Sequence, residues 1–503
     1  MSTAAAESRL KFHLFFWYGV IGVTALILGF FLAANLLTIL LLVSGLAWLM
    51  LLPYHAYLSF YLAMTTLGSA LILPFLPGRP YLWEFAALLA WTGVVMTFSL
   101  RRYQPDFPAV FRANRLLFWA SAGYCLVLVV TMFHRGFGLR ILGSGQMGGR
   151  FYIQQLICAV FPLLFIMVRT DEKLLTRLFV AQCLLTSTYL VSDFVFSMAS
   201  HRFFVLLQFF ELPNDALNFE MQALRFGVRR FQSLAFCGQG FIFFLLVFYN
   251  LKEFVSRRGV WLLPLITAVF GLSLLSGHRV VIAIVGMTLL FCGYAQRFFT
   301  IRNCLVGFIG GLVLLALLYS YADRLPLALQ RSISVLPGLR IDSQTKMDAV
   351  STIVARKVMF KVGLAMIPQY FWIGRGFARY AGDSSYTWDM VSFLINQGTY
   401  WNGFIGLMVN TGVFGTLFML MFVLAGSKLA WNIVRHLRTH GCADNFARFC
   451  SIAAGLWLAN VLAFLFLHGD SEWAMKTFSL QAGMLLVCNY HLGKRLTAAT
   501  VSA

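Results

Sequence analysis

The chain has 503 residues, 60% of them hydrophobic and only 11% charged, with a mean hydropathy of +0.80 and a formal net charge of +21. Soluble globular domains are about half apolar and a quarter charged, so this composition excludes one. The apolar residues run continuously rather than alternating, which also excludes a transmembrane β-barrel; the expected class is an all-α polytopic integral membrane protein.

Apolar runs stand at 14–34, 36–52, 56–76, 81–100, 115–133, 152–168, 174–198, 233–250, 260–276, 280–296, 303–321, 402–425, 449–467 and 473–490. Each holds roughly 17–25 residues, enough to cross a hydrocarbon core of about 30 Å. The first two are tightly joined near Asn35, which gives about twelve to fourteen transmembrane helices. No small-residue cleavage site follows the first run, so 14–34 reads as a retained span. The nine cysteines lie mostly inside apolar runs, with no CxxC or Cys/His spacing, and read as packing residues.

Basic residues fix the expected orientation. Arg101 and Arg102, Arg169 and Lys173, Arg257 and Arg258, Arg297 and Arg302, Lys428 and Arg435, and Lys494 and Arg495 fall in loops on the side of the N-terminus. That side is read as cytoplasmic, with both termini on it. Four segments follow: 1–232, N-terminal helices and an outer loop; 233–321, central helices with the turn from Ser276 to Arg279; 322–400, a large extracytoplasmic loop; and 401–503, C-terminal helices. The short loops between spans argue against nucleic acid as a partner.

The outer segments should hold few cations, yet they carry Arg135, Arg140, Arg150, Arg202, Arg225, Arg229, Arg230, Arg279, Arg340, Arg356, Arg375 and Arg379. Long loops translocate largely regardless of charge. The choice of Arg over Lys suits bidentate contacts to phosphate or carboxylate. Four segments therefore stand out. In FGVRRFQSLAF, Arg229 and Arg230 precede a span, as headgroup anchors or as ligands for an anion. In LLSGHRVVIAIVG, His278 and Arg279 sit at a tight turn between two spans, where a charge costs several kcal/mol unless it is paired or faces water. Arg279 would bind an anion there, and His278 could exchange a proton. In the large loop, DAVSTIVARKVMFKVGLAMIP reads as a helix that begins near Asp348, carries Arg356 and is closed by Pro368. WIGRGFARYAG follows it, with Arg375 and with Gly374, Gly376 and Gly382 to turn or approach a ligand. In FLHGDSEW, His468, Asp470 and Glu472 cluster as a general base, a cation site or a solvated turn. Asp193, inside a span, is expected to be paired.

These pieces together resemble the bacterial O-antigen ligase and O-antigen polymerase superfamily, membrane glycosyltransferases of GT-C type, over roughly residues 225–425. Ser276-Gly277-His278-Arg279 is similar to that family's S-x-S-R-G turn. Arg356 and Gly374-Arg375-Gly376-Phe377 are similar to its loop Arg and G-x-G-F segment. Trp401-Asn402-Gly403-Phe404-Ile405 with Asn410 to Gly415 resembles its re-entry pattern, although Trp401 stands where the ligases carry His.

The resemblance implies a metal-independent glycosyltransferase without a cofactor, at the outer face of a bacterial inner membrane. It would take a polyprenyl-pyrophosphate-linked oligosaccharide and pass the glycan to a glycan or lipid acceptor. Membrane lipids and chain-length or export proteins would be its partners. Arg230, Arg279, Arg356 and Arg375 would hold the pyrophosphate; His278, His468 or Glu472 would be the base; Trp401 and Asn402 would meet substrate. The departure at Trp401 favours a polymerase over a ligase. A lipid-linked glycan transporter or flippase, and a non-catalytic envelope scaffold, are the competing readings.

Overall fold

The structure, a computed structural model, describes residues 14–25, 43–48, 50–51, 54–76, 79–138, 146–168, 170–198, 201–212, 227–228, 230–254, 261–334, 336–380, 390–396 and 398–502, with Lys11, Gly29 and Ser256. Arg225, Arg229, Gly382 and most of the run at 36–52 lie outside them.

The described chain is helical: α1 (Leu14–Ala25), α2 (His55–Thr66), α3 (Leu82–Ser99), α4 (Arg115–Arg135), α5 (Gly149–Cys158), α6 (Phe161–Met167), α7 (Glu172–Leu185), α8 (Thr188–Met198), α9 (Ser233–Phe248), α10 (Leu262–Leu274), α11 (Arg279–Ala295), α12 (Ile301–Tyr321), α13 (Leu327–Ile333), α14 (Ser343–Met366), α15 (Gly403–His440), α16 (Asn445–Leu462) and α17 (Ala474–Ser502). Among the described residues, seven helical stretches are long and apolar enough to cross a membrane, and α1, α9, α10 and α11 are shorter apolar helices. This is the architecture of an α-helical membrane protein, because apolar surroundings oblige each backbone N–H and C=O to find its partner within the chain.

Several elements differ from the expected spans. The run at 56–76 is a twelve-residue helix and not a full span. The Ser69 N–H and hydroxyl both donate to the Thr66 carbonyl, at 2.9 and 2.8 Å, and close α2. Beyond it Leu71 and Ile72 bridge Phe210 and Tyr81. The run at 174–198 stands as one membrane-length stretch, Glu172–Met198, with a turn inside it between α7 and α8. There the hydroxyls of Thr186, Ser187 and Thr188 donate to the carbonyls of Cys183, Leu184 and Leu185 and compete with the helix ladder. The run at 402–425 continues to His440.

The core lies between the C-terminal helices and α4, α6 and α11. Phe422, Phe449, Trp457 and Phe478 are fully buried there. Small residues admit the large ones: a Cβ at Gly426 would stand 2.1 Å from the Trp457 ring. In contrast, α12 contributes no buried residue.

The segment between α12 and α15 is a helical cap. Asp342 accepts from the N–H groups of Gln344 and Thr345, so α14 starts five residues before Asp348, and Asp348 lies inside it. Pro368 ends it in a 3₁₀ turn. The chain then repairs a break in α15. At Gly412 (φ 69°, ψ −173°) the helix opens. The freed carbonyls of Val409 and Asn410 accept from the N–H groups of Arg375 (2.7 Å) and Gly376 (2.9 Å), and the Val413 N–H donates to Phe371 O (2.7 Å). The Arg135 guanidinium holds the same strip through Gly374 O (3.0 Å) and Ile373 O (3.2 Å). A short antiparallel pairing, Gln146↔Tyr380 and Met147↔Arg379, fastens its far end to another loop. The glycines of WIGRGF thus approach a helix backbone.

A Cβ at Gly374 would lie 2.2 Å from Asn410 O, whereas one at Gly286 meets nothing within 4 Å. Gly374→Ala should therefore cost about 1–3 kcal/mol, as overpacking does. The detergent-purified variant should melt earlier than wild type, and Gly286→Ala should not. Equal melting of Gly374→Ala and wild type would refute the clamp.

Candidate functional site

The site is built on the turn between α10 and α11. Ser276 is buried, and its Oγ accepts from the His278 N–H at 3.2 Å. Gly277 has φ +71°, and a Cβ there would come 2.5 Å from Arg230 Cδ, so conformation and space both require glycine. His278 is the extended N-cap of α11, and Arg279 its first residue.

Two cap helices press on this turn. The Ser332 hydroxyl of α13 donates to Leu274 O at 2.7 Å. Arg331 of α13 donates through Nε to Asp348 Oδ2 (2.6 Å), through Nη1 to the Gly277 carbonyl, and through Nη2 to Thr352 Oγ1 (2.9 Å). Arg230 Nη2 approaches the same Asp348 Oδ2 at 3.9 Å; its side chain is 3% exposed and that of Asp348 is 1% exposed. Arg279 donates to Ala349 O at 3.1 Å. Two arginines therefore share one carboxylate oxygen, with a third beside them.

The fourth arginine comes from the open face of α14. Arg356 donates to Leu467 O at 3.2 Å, and its guanidinium lies 5.7 Å from the centre of the Trp401 ring. Trp401 holds φ +50°, an unusual conformation for a bulky residue, just before Asn402. The Asn402 side chain accepts from Ile405 N–H at 3.0 Å and caps α15. A single π turn, Ala463–Leu467, ends α16 and delivers His468, whose ring centre lies 6.1 Å from that of Trp401. Glu472 is buried and accepts from the Thr399 hydroxyl at 3.1 Å.

Electrostatics join the pieces. Burial first, and then the nearby charges of His468, Arg230, Arg331 and Arg356, pull the His278 imidazole down to about 3. The charges of Arg331, Arg356 and Asp348 act on Arg279, and those of Arg331 and Asp470 act on Arg356. His278 is thus neutral at pH 7 inside a net-positive pocket. Among the described residues, no three His, Cys, Asp or Glu side chains gather as metal ligands.

Of the residues singled out in the sequence, Arg230, His278, Arg279, Arg356, Trp401 and His468 come together here. Arg375 does not join them. Its guanidinium donates to Ile395 O (2.9 Å) and Asn396 O (3.0 Å) and holds main chain, so a free pyrophosphate ligand is not what this geometry provides. Asp193 accepts from the Ser233 N–H (3.0 Å) and hydroxyl (2.6 Å), which starts α9 and fixes the chain next to Arg230. Arg331 escaped the sequence reading. Its one sequence signal is an arginine 17 residues before Asp348 in a loop already rich in cations.

The chain matches no known family model, and no curated protein matches it.

Two measurements follow. Asp348→Ala leaves Arg230 and Arg331 buried without their counter-charge and should cost about 3–5 kcal/mol. Adding Arg331→Met should recover part of that loss. A melting temperature for Asp348→Ala equal to wild type would remove the ion pair from the account. Acid provides the second. Unfolded, His278 takes a proton near pH 6.5; folded, only near 3. Between those values the unfolded chain binds more protons, so stability is full above 6.5 and falls on acidification, by up to about 1.4 kcal/mol per pH unit. His278→Gln should flatten the fall in melting temperature between about pH 7 and pH 5; an unchanged slope contradicts the neutral-imidazole assignment.

Proposed function

We propose that the protein is a membrane glycosyltransferase that takes a glycan from a polyprenyl-pyrophosphate donor at the outer face of the inner membrane and lengthens a surface polysaccharide. The observation that carries this reading is the convergence of Arg230, Arg279, Arg331 and Arg356 on one turn, with Asp348 between the first and third. In glycosyl transfer from such a donor, an acceptor hydroxyl oxygen attacks the anomeric carbon as the bond to the diphosphate oxygen breaks. The leaving polyprenyl diphosphate gains one negative charge, and the hydroxyl proton passes to a base. Fixed guanidinium groups stabilise that developing charge without reorganising.

The same geometry divides the roles. Arg279 and Arg356 are the more exposed pair and would meet the diphosphate, while Arg331 and Arg230 are buried against Asp348. His278, held neutral by burial and then by its cationic neighbours, would donate a hydrogen bond. The turn at 468–470 would supply the base from His468 or Asp470, and Glu472 would position it through Thr399 and the buried turn. The Trp401 ring offers a flat face to a sugar.

The test is elongation by purified protein in lipid discs, supplied with a polyprenyl-pyrophosphate oligosaccharide. Arg279→Ala and Arg356→Ala should each lower the rate by at least about a hundredfold, as loss of a charge-stabilising donor does, with normal insertion and melting. Full activity in both variants would overturn the assignment of the site, and movement of substrate across the bilayer with no bond formed would overturn the transferase reading.

A further inference from the structure

A separate cavity of about 450 Å³ lies between α7, α9, α16 and α17, within the usual size range of small-molecule sites. Its lining includes Gln182, Gln232, Gln239, Asn460 and Gln481, five uncharged carboxamides in one apolar bundle. The Oε1 atoms of Gln182 and Gln481 are buried and, among the described residues, accept no hydrogen bond. Buried amides are ordinarily satisfied, so these call for a hydroxyl-bearing occupant.

One cation faces the cavity. Lys476 Nζ lies 4.4 Å from the Trp83 ring centre, 4.7 Å from Trp473 and 5.9 Å from Tyr81. Among the described residues it has these three rings and no carboxylate in ion-pair contact. The carboxylate of Glu84 is itself occupied. Glu84 accepts from Arg150 Nε (2.8 Å), Arg150 Nη2 (2.7 Å), the Tyr81 N–H (2.8 Å) and the Gln154 amide. A second carboxylate, Glu211, also lies near Tyr81 and Tyr189; Arg150 and Arg79 offset Glu84 and Glu211, which leaves the ammonium as the surplus charge. A single ammonium among amides and aromatic faces suits one negative charge on a polyhydroxylated ring; a diphosphate would call for the arginine forks found at the turn.

The cavity shares chain with that turn. Gln232 stands two residues after Arg230, Ile284 lies on α11 between one and two turns beyond Arg279, and Trp473 follows Glu472.

We propose that this cavity binds a carboxylate-bearing sugar, a uronic acid unit of the glycan, through Lys476 and the Gln182 and Gln481 amides. The inference deepens the glycosyltransferase reading and rests on it for its biological meaning, but binding is measurable without transfer. Trp83 and Trp473 give the signal. The full-length protein in phosphatidylcholine discs is titrated with a galacturonic acid oligomer and with a neutral galactose oligomer of equal length, and tryptophan fluorescence is followed.

The acidic oligomer should bind at least tenfold more tightly than the neutral one. Lys476→Gln and Lys476→Met should each abolish that preference, and Gln481→Leu should weaken both oligomers. Equal affinity of wild type for the two oligomers, which needs no variant, overturns the proposal; so does a preference that survives both lysine substitutions. Discs containing phosphatidylserine form the remaining arm. If that lipid alone gives the Lys476-dependent signal and blocks the acidic oligomer, the carboxylate belongs to a headgroup and the sugar assignment falls. Elongation is recorded separately: absence of elongation by wild type defeats the transferase reading, activity that survives Arg279→Ala and Arg356→Ala removes those arginines from its site, and either result leaves the oligomer preference to stand or fall by itself.

Discussion

Guanidinium groups packed side by side repel one another unless an opposite charge lies between them, and here Asp348 lies between Arg230 and Arg331. That carboxylate, on a cap helix, joins an arginine from the chain before α9 to one from α13, while α13 also grips the turn that starts α11. Four chain segments distant in sequence meet because one buried negative charge has two claimants. Its satisfaction is incomplete, since among the described residues Asp348 Oδ1 has no hydrogen-bond partner. Burial of an ion pair is weak evidence for stability and better evidence for a fixed arrangement. The arrangement fixed here keeps Arg279 and Arg356 near each other and leaves a positive surplus at the rim.

The second constraint is the broken helix α15. Its opening at Gly412 would leave carbonyls and an N–H without partners, and each such group costs several kcal/mol in an apolar setting. The strip from Phe371 to Gly376 satisfies them, and Arg135 holds the strip. The start of α15, with Asn402 as its cap and the strained Trp401 before it, is thereby set against the π turn that carries His468. Positions in the site thus descend from hydrogen bonds well away from it.

The sequence showed the helical class and the long apolar stretches plainly, because continuous hydrophobicity over a bilayer's width has few other readings. It overstated the span at 56–76, where hydropathy cannot register that Ser69 closes the helix. Arg279 and His278 were legible because a charge at a tight turn between apolar runs is conspicuous. Arg331 was not, because in a polar stretch an arginine draws no notice until its partner, seventeen residues away, is seen. Arg375 misled for the converse reason: arginine between glycines suggests a ligand loop, and main-chain carbonyls that need a donor are invisible in sequence. Glu84, Arg150 and Lys476 lie in separate segments, and only the packing of α3, α5 and α17 brings them together.

The mended break in α15 also bears on how the chain is made. Residues 371–376 are synthesised before residues 409–413, so the patch exists before the gap it fills. The order of the chain thus places the partner ahead of the main chain it must satisfy.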